Sequence, residues 1–404
     1  MALIFSGSFD LPAKGIPVER VRLNHRNQDL VELIRSKIRT DGPVSFAWFM
    51  DQALYHPEHG YYSSGRAKLG RQGDYFTSVS VGPMFGRLLA FQFAEIWEQL
   101  GRPVGFQIVE QGAHEGQLAH DVLLTLATIS PECFETVCYH LIEPSPVLEK
   151  AQEDRLSEFQ NRVKWSSSLE NIDPFVGVHF SNELLDSMPV HLIRRVSGSG
   201  NSRWIEKLVN WNDDRFEFVE APLSDHRILQ QLGRLTDVPR DAEVEINLGA
   251  FDWITALSQK LERGYAIAID YGYVIADLPA LRHQAGTLQC RTRHRLLDSP
   301  FDFVGDCDIT AHVNWSAAAN HAADEGFTFA GFTDQHHFLT GIITEHPAAI
   351  QKDNAGARRQ LQTLLHPEMM GRSFQVLSLS KGTNPGLKLS GFKFARSAPD
   401  QLGL

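Results

Sequence analysis

The chain is poor in features that mark several large protein classes. It has four cysteines, Cys133, Cys138, Cys290 and Cys307, and no Cys-x-x-Cys pair, which removes the usual zinc and dithiol signatures. A large chain with no secretory signal is expected to keep these thiols reduced. No apolar run is long enough to cross a bilayer. Lys and Arg total 38 against 49 Asp and Glu, a formal charge of −11. No nucleic-acid surface is expected from that balance, whereas a basic partner segment is compatible with it. The sequence lacks a Gly-x-Gly-x-x-Gly fingerprint and a Gly-Lys-Ser/Thr phosphate loop, and no Gly-x-Ser-x-Gly elbow follows a strand. In His56-Pro-Glu-His59, Pro57 forces a loop where helical metal pairs need i, i+4 spacing, so no metal site is expected. The amino terminus, with Phe9-Asp10 and Glu19, reads neither as a signal peptide nor as a clear Arg/Ser-rich transit peptide. A bacterial cytoplasmic protein is the simplest expectation, or a mitochondrial matrix protein if the source is eukaryotic.

What is present is an ordinary globular composition, 43% hydrophobic and 22% charged, and one informative stretch, residues 107–121. There a short apolar run ends on Glu110, turns through Gly112 and Gly116, and enters a helical pattern at Leu118. Strand, glycine turn and helix in this order is how doubly wound α/β sheets hold nucleoside-containing ligands. The free N–H groups at a helix start favour negative charge. Gly112 to Gly116 gives Gly-x-x-x-Gly, and the stretch resembles the first motif of S-adenosylmethionine (SAM) methyltransferases, with His114 where that pattern has its second glycine. A second strand ends at Glu143, a carboxylate suited to accept both ribose hydroxyls of a nucleoside. Two more apolar runs end in polar groups, at Asn182-Glu183 and at Asp270. Ligands of open α/β sheets bind outside the carboxyl ends of the strands, so the four ends can line one crevice. Trp97, Trp165, Trp253 and Trp315 read mostly as core or helix-face residues, although the position of Trp165 after the second helix leaves an adenine neighbour open.

The remaining pattern organises the chain around that sheet. Apolar residues at Leu30, Val31, Ile34 and Ile38 predict a helix, Phe46 to Leu54 a second, and Met84 to Leu100 a third. The Tyr- and Gly-rich segment from Gly60 to Gly73 reads as a loop over the crevice mouth. Val190 to Val196, Arg203 to Trp211 and Arg215 to Glu220 predict strands separated by turn residues. One methyltransferase domain over 1–404 is therefore expected, with an N-terminal cover at 25–83. The α/β core falls at 84–190 and 260–382, and a β-rich insertion at 191–255. Phe327 to Thr333 and Phe374 to Lys381 are the last two strands, the latter antiparallel. Residues up to about Leu23 read as an extended arm.

Seven blocks, in order, resemble the MidA-like SAM-dependent methyltransferases, whose mitochondrial members help assemble respiratory complex I. They are Gly42 to Phe46 with Ala53 to Tyr62; Gly73-Asp-Tyr-Phe-Thr-Ser78 with Met84-Phe-Gly86; Glu110 to Gly116; and Ser181 to Val190. Ile269-Asp-Tyr-Gly272, Gly286-Thr-Leu288 and Asp308 to Asn314 follow. The resemblance implies a class I (Rossmann-like) fold, SAM as cofactor, and a protein substrate, an arginine on a respiratory-complex subunit in the mitochondrial members. It implies cofactor contacts from Gly73, Asp74, Thr77, Ser78, Glu110, Gly112, His114, Gly116, Glu143 and Asn182. The family loop usually reads Glu-x-Gly-Pro-Gly-Arg-Gly, so His114 and Glu115 depart from it, as does Val79-Ser80 from the family's Pro-Glu. For arginine chemistry, carboxylates that grip the guanidinium fork are needed, and the expected catalytic set is Asn182, Glu183 and Asp270. Glu183 and Asp186, three apart, would share one side of a helical turn, although Asp186 reads equally as a helix-start charge. A SAM-fold binding or assembly factor with weak or no catalysis and a small-molecule methyltransferase stay open, as does a homodimer.

Overall fold

A computed structural model describes residues 27–64, 77–197, 202–235, 242–277, 286–292, 295–350, 355–384, 386–395 and Leu402. The amino-terminal arm and the expected contacts Gly73 and Asp74 lie outside these residues. The chain opens with α1 (Gln28–Asp41), β1 (Val44–Ser45) and α2 (Phe46–Tyr55). Ser45 starts α2 as an N-cap, its Oγ accepting the Trp48 N–H at 3.1 Å. α3 (Met84–Gln99) then leads into β2 (Gln107–Gln111), α4 (Gln117–Ile129), α5 (Pro131–Thr136), β3 (Cys138–Ile142), α6 (Pro146–Arg155), β4 (Val163–Ser166) and β5 (Phe175–Asn182). These alternating strands and helices build half of a parallel sheet.

After β5 the chain leaves the sheet for β6 (His191–Ser197), β7 (Ser202–Asn212), β8 (Arg215–Ala221), α7 (His226–Leu232) and β9 (Glu243–Ile246). These strands pair antiparallel, and β1 joins them on β7. α8 (Leu248–Lys260), capped by Asn247, returns the chain to β10 (Leu261–Tyr273). A small sheet of β11 (Gln289–Thr292), β12 (Arg295–Leu296) and β13 (Asp308–Thr310) follows, then β14 (Val313–Asn314), α9 (Trp315–Asp324), β15 (Thr328–Asp334), α10 (Gln335–Glu345), α11 (Ala355–Leu365) and β16 (Phe374–Lys381). The sequence reading predicted neither the small sheet nor β9.

The main sheet runs β15-β16-β10-β5-β2-β3-β4, and β16 is antiparallel to both neighbours, the class I order that the resemblance implies. Alternation along each strand splits the core in two. Ile108, Leu141, Ile267 and Val376 face α3, α4, α10 and α11, whereas Val109, Ile142, Ala266 and Leu377 face α8 and α9. A third core joins α1 and α2 to the insertion and to the small sheet through Phe49, Phe216, Cys290 and Ile309.

Candidate functional site

At the carboxyl ends of β2, β3, β5 and β10 lies a cavity of about 790 Å³. One end is built by the glycine turn and the second strand. Gly112, His114 and Gly116 all have positive φ, at 81°, 47° and 78°, so the loop winds through alternate left-handed residues. For histidine this conformation costs on the order of 1–2 kcal/mol. Glu115 forms an ion pair with Arg155 at 3.0 Å, whose Nε also donates to the Glu115 carbonyl at 2.8 Å. Glu143 lies just past β3 and lines the cavity while 5% exposed. Its Oε1 accepts the Ser145 N–H at 2.8 Å and its Oε2 the Gln152 Nε2–H at 2.9 Å. Burial pushes its carboxyl up to about 7, against the pull of those two bonds. Ile142, Pro144 and Leu148 add an apolar wall beside it.

The other end is acidic. Glu183, Asp186 and Asp308 line it with Tyr55, Tyr62 and Tyr271. The chain makes no helix after β5: it turns sharply at Glu183, φ 54°, so Glu183 and Asp186 meet across a turn and Asp186 is no helix-start charge. Asp270 is the reason the turn holds. Its Oδ2 accepts the N–H groups of Leu185 at 2.8 Å and Asp186 at 3.1 Å, and its Oδ1 that of Tyr271 at 2.8 Å. Asn247 Nδ2 pins the Leu185 carbonyl from below at 2.9 Å. Burial, then the charge of Asp270, raise Glu183 to about 8. Asp186 is also raised, by burial and then by Asp270, Asp308 and Glu183. Across the cavity, Tyr62 Oη donates to Asp308 Oδ1 at 2.5 Å, and Tyr55 Oη donates to Ser187. Together these tie the α2 segment over the acidic end.

Of the expected site residues, Gly112, His114, Glu143 and Glu183 line the cavity. Gly116 ends the turn as the residue before α4. Glu110 does not reach the cavity. Strand alternation sends its side chain to the α4 face, where its carboxylate, 3% exposed, accepts the Tyr139 hydroxyl at 2.6 Å. Gln111, one residue on, lines the cavity instead and accepts the Trp253 Nε1–H. Asn182 stands behind Glu183, donating to its Oε1 at 2.9 Å. Asp270 serves the backbone and not the cavity wall. Ser78 Oγ donates to Gln335 and its N–H supports Glu183; Thr77 bonds within its own turn to Ser80. Trp165 donates to Gln152 and lies behind the wall. The sequence reading missed Asp308 and Tyr62 as site groups, although both stand inside quoted blocks. Gln152 carries no sequence signal at all.

Residues 88–333 match a family model described as "putative S-adenosyl-L-methionine-dependent methyltransferase". A crystal structure of a Burkholderia thailandensis protein bound to S-adenosyl-homocysteine is 30% identical, with a TM-score of 0.82 over 95% of this chain and 99% of that one. The mitochondrial protein arginine methyltransferase NDUFAF7 of Homo sapiens is 27% identical over 90% of this chain and 85% of its own. The Drosophila melanogaster homolog is 26% identical over 92% and 89%. No helix among the described residues is long and apolar enough to cross a membrane.

Proposed function

The chain belongs to this family of SAM-dependent methyltransferases, and from that premise we propose that it methylates a guanidinium nitrogen of an arginine on a protein partner. One observation carries the reading: a single cavity joins the glycine turn and Glu143 at one end to Glu183, Asp186 and Asp308 at the other. The residues at the first end fit the cofactor. Glu143 has one bond on each oxygen, so each keeps acceptor capacity for a ribose hydroxyl. The left-handed turn lets backbone approach the ligand closely, and Ile142, Pro144 and Leu148 offer an apolar face to the adenine. When bound there, SAM supplies a methyl group on a sulfonium for in-line transfer to a nucleophile.

The acidic end is matched to the substrate. A guanidinium has a pKa above 12 and its nitrogens are poor nucleophiles until a proton leaves. Burial and Asp270 hold Glu183 largely protonated near neutral pH, raised to about 8; an entering guanidinium favours its ionised form, so that Glu183 and Asp186 grip the fork, localise its charge and accept the proton. Tyr55, Tyr62 and Tyr271 wall the aliphatic stem. Balanced overall, the nitrogen–carbon bond forms as the sulfur–carbon bond breaks, S-adenosylhomocysteine leaves, and the nitrogen's proton passes to carboxylate and then water. The protein substrate is supported by the mitochondrial relatives, which are protein arginine methyltransferases.

The test is incubation of the purified chain with methyl-labelled SAM and synthetic peptides carrying arginine, or lysine in its place, read by mass spectrometry. Label on arginine peptides, lost in Glu183→Gln, is the expected result. Absence of SAM binding by calorimetry would overturn the enzyme reading. Transfer to small metabolites but to no peptide would overturn the protein substrate.

A further inference from the structure

Gln152 is the one buried residue of α6, with no exposed surface. A position of that kind on an amphipathic helix is ordinarily apolar, and a buried amide requires partners in several directions. All are supplied. Nε2 donates to the His114 carbonyl at 2.6 Å and to Glu143 Oε2 at 2.9 Å, while Oε1 accepts the Trp165 Nε1–H at 3.0 Å. Because an indole can only donate, Trp165 fixes which end of the amide faces it, and both N–H groups are thereby aimed at the two cavity elements. The side chain also packs on the end of the loop, where a Cβ added at Gly116 would stand 3.3 Å from Gln152 Cγ. The left-handed His114 peptide and the strand-end carboxylate, 29 positions apart in the chain, thus share one donor group.

We propose that Gln152 is a positioning residue that sets the separation between the His114 turn and the Glu143 carboxylate, and through them the affinity for the nucleoside end of the cofactor. This rests on the placement of SAM in the cavity with Glu143 at the ribose. Without the amide, the His114 carbonyl and Glu143 Oε2 lose their common donor.

Two variants separate donation from packing. Gln152→Glu keeps the shape and the acceptor for Trp165 but removes both N–H groups; Gln152→Met keeps only the bulk. Calorimetric titration with S-adenosylhomocysteine is expected to show binding weakened at least about tenfold in both, with unchanged far-ultraviolet circular dichroism. Tryptophan emission shifts in Gln152→Met and stays closer to wild type in Gln152→Glu. In a Glu143→Gln background, Gln152→Met should cost less affinity than in wild type, because the carboxylate that it positions, one of its two acceptors, is no longer there. Unchanged affinity in Gln152→Glu beside a weakened Glu143→Gln would overturn the proposal, as would additive losses in the double variant. Unchanged affinity in Glu143→Gln itself, in a protein that binds the ligand, would instead strike the ribose assignment.

Discussion

With Glu143 at the ribose, as proposed, cofactor binding should depend on pH. Two ribose hydroxyls can both donate only to an ionised carboxylate, whereas burial raises this one to about 7 in the ligand-free protein from the usual 4.3 or so. Binding therefore draws on the ionised fraction, roughly nine-tenths at about pH 8 and roughly one-tenth at about pH 6. The dissociation constant for S-adenosylhomocysteine should rise about tenfold over that interval as pH falls. Glu143→Gln removes the titration, so its affinity should be flat with pH and weaker than wild type at about pH 8 by roughly 1.5–3 kcal/mol, or about 13- to 160-fold. On stability the sign is reversed. A raised carboxyl holds its proton when folded and loses it when unfolded, so the ligand-free protein loses stability as pH rises from about 4.5 towards the raised value. Glu110 and Glu183, raised to about 7 and 8, act in the same sense. Calorimetry at several pH values, with melting curves alongside, measures both effects. A wild-type affinity that does not vary between these pH values, or a Glu143→Gln variant that keeps the wild-type slope, would refute the reasoning.

His114→Gly should bind S-adenosylhomocysteine as tightly as wild type or more tightly, since glycine adopts the left-handed turn without strain; lost activity with undiminished affinity would make the imidazole a catalytic group. Asp270→Asn should lower stability by about 3 kcal/mol in denaturant unfolding, because an amide cannot accept three backbone N–H groups with both ends, whereas Glu183→Gln should lower kcat with little loss of stability. Tyr62→Phe removes the 2.5 Å bond to Asp308, and hydrogen exchange in residues 55–64 should rise in the absence of ligand; protection equal to wild type would show that packing alone holds this segment down.

The sheet was legible because its signals are local. Each strand is an apolar run with a polar end, and the glycine turn lies within one unit. The period of two also decides what sequence spacing alone does not: Glu110 is the acidic residue at the strand end, yet it shares a face with Ile108, so its side chain meets Tyr139 under α4 and Gln111 takes the cavity position. Asp270 fails as a wall residue for a different reason. The turn at Glu183 leaves backbone N–H groups without helix or sheet partners, and a buried donor must find an acceptor, so the nearest carboxylate is recruited. The small sheet from β11 to β13 leaves no pattern in the sequence because its strands are two to four residues long, too short for alternation to register. Gln152 needed the tertiary structure, since its three partners come from the glycine loop, the second strand end and β4.

The parts that the sequence separates into cover, insertion and late blocks share one apolar core. Phe49 of α2 packs edge-on against Phe216 of β8 and Phe301 of the segment before β13, and Cys290 and Ile309 of the small sheet belong to the same cluster. That cluster carries Tyr55, Tyr62 and Asp308 to the acidic end, while the main sheet carries the glycine turn and Glu143. The two ends of the cavity therefore rest on different cores and are joined by the Asp270-anchored turn. Three carboxyl groups drawn into one enclosed space repel one another when ionised, and among the described lining residues Arg291 is the only permanent cation, its guanidinium donating to Gln289. Burying three carboxyl groups with a single, exposed cation at the cavity wall is costly. On the proposed arginine substrate, a cationic side chain entering the cavity would relieve that cost, and the same relief would lower the carboxyl pKa values towards the ionised form that accepts its proton.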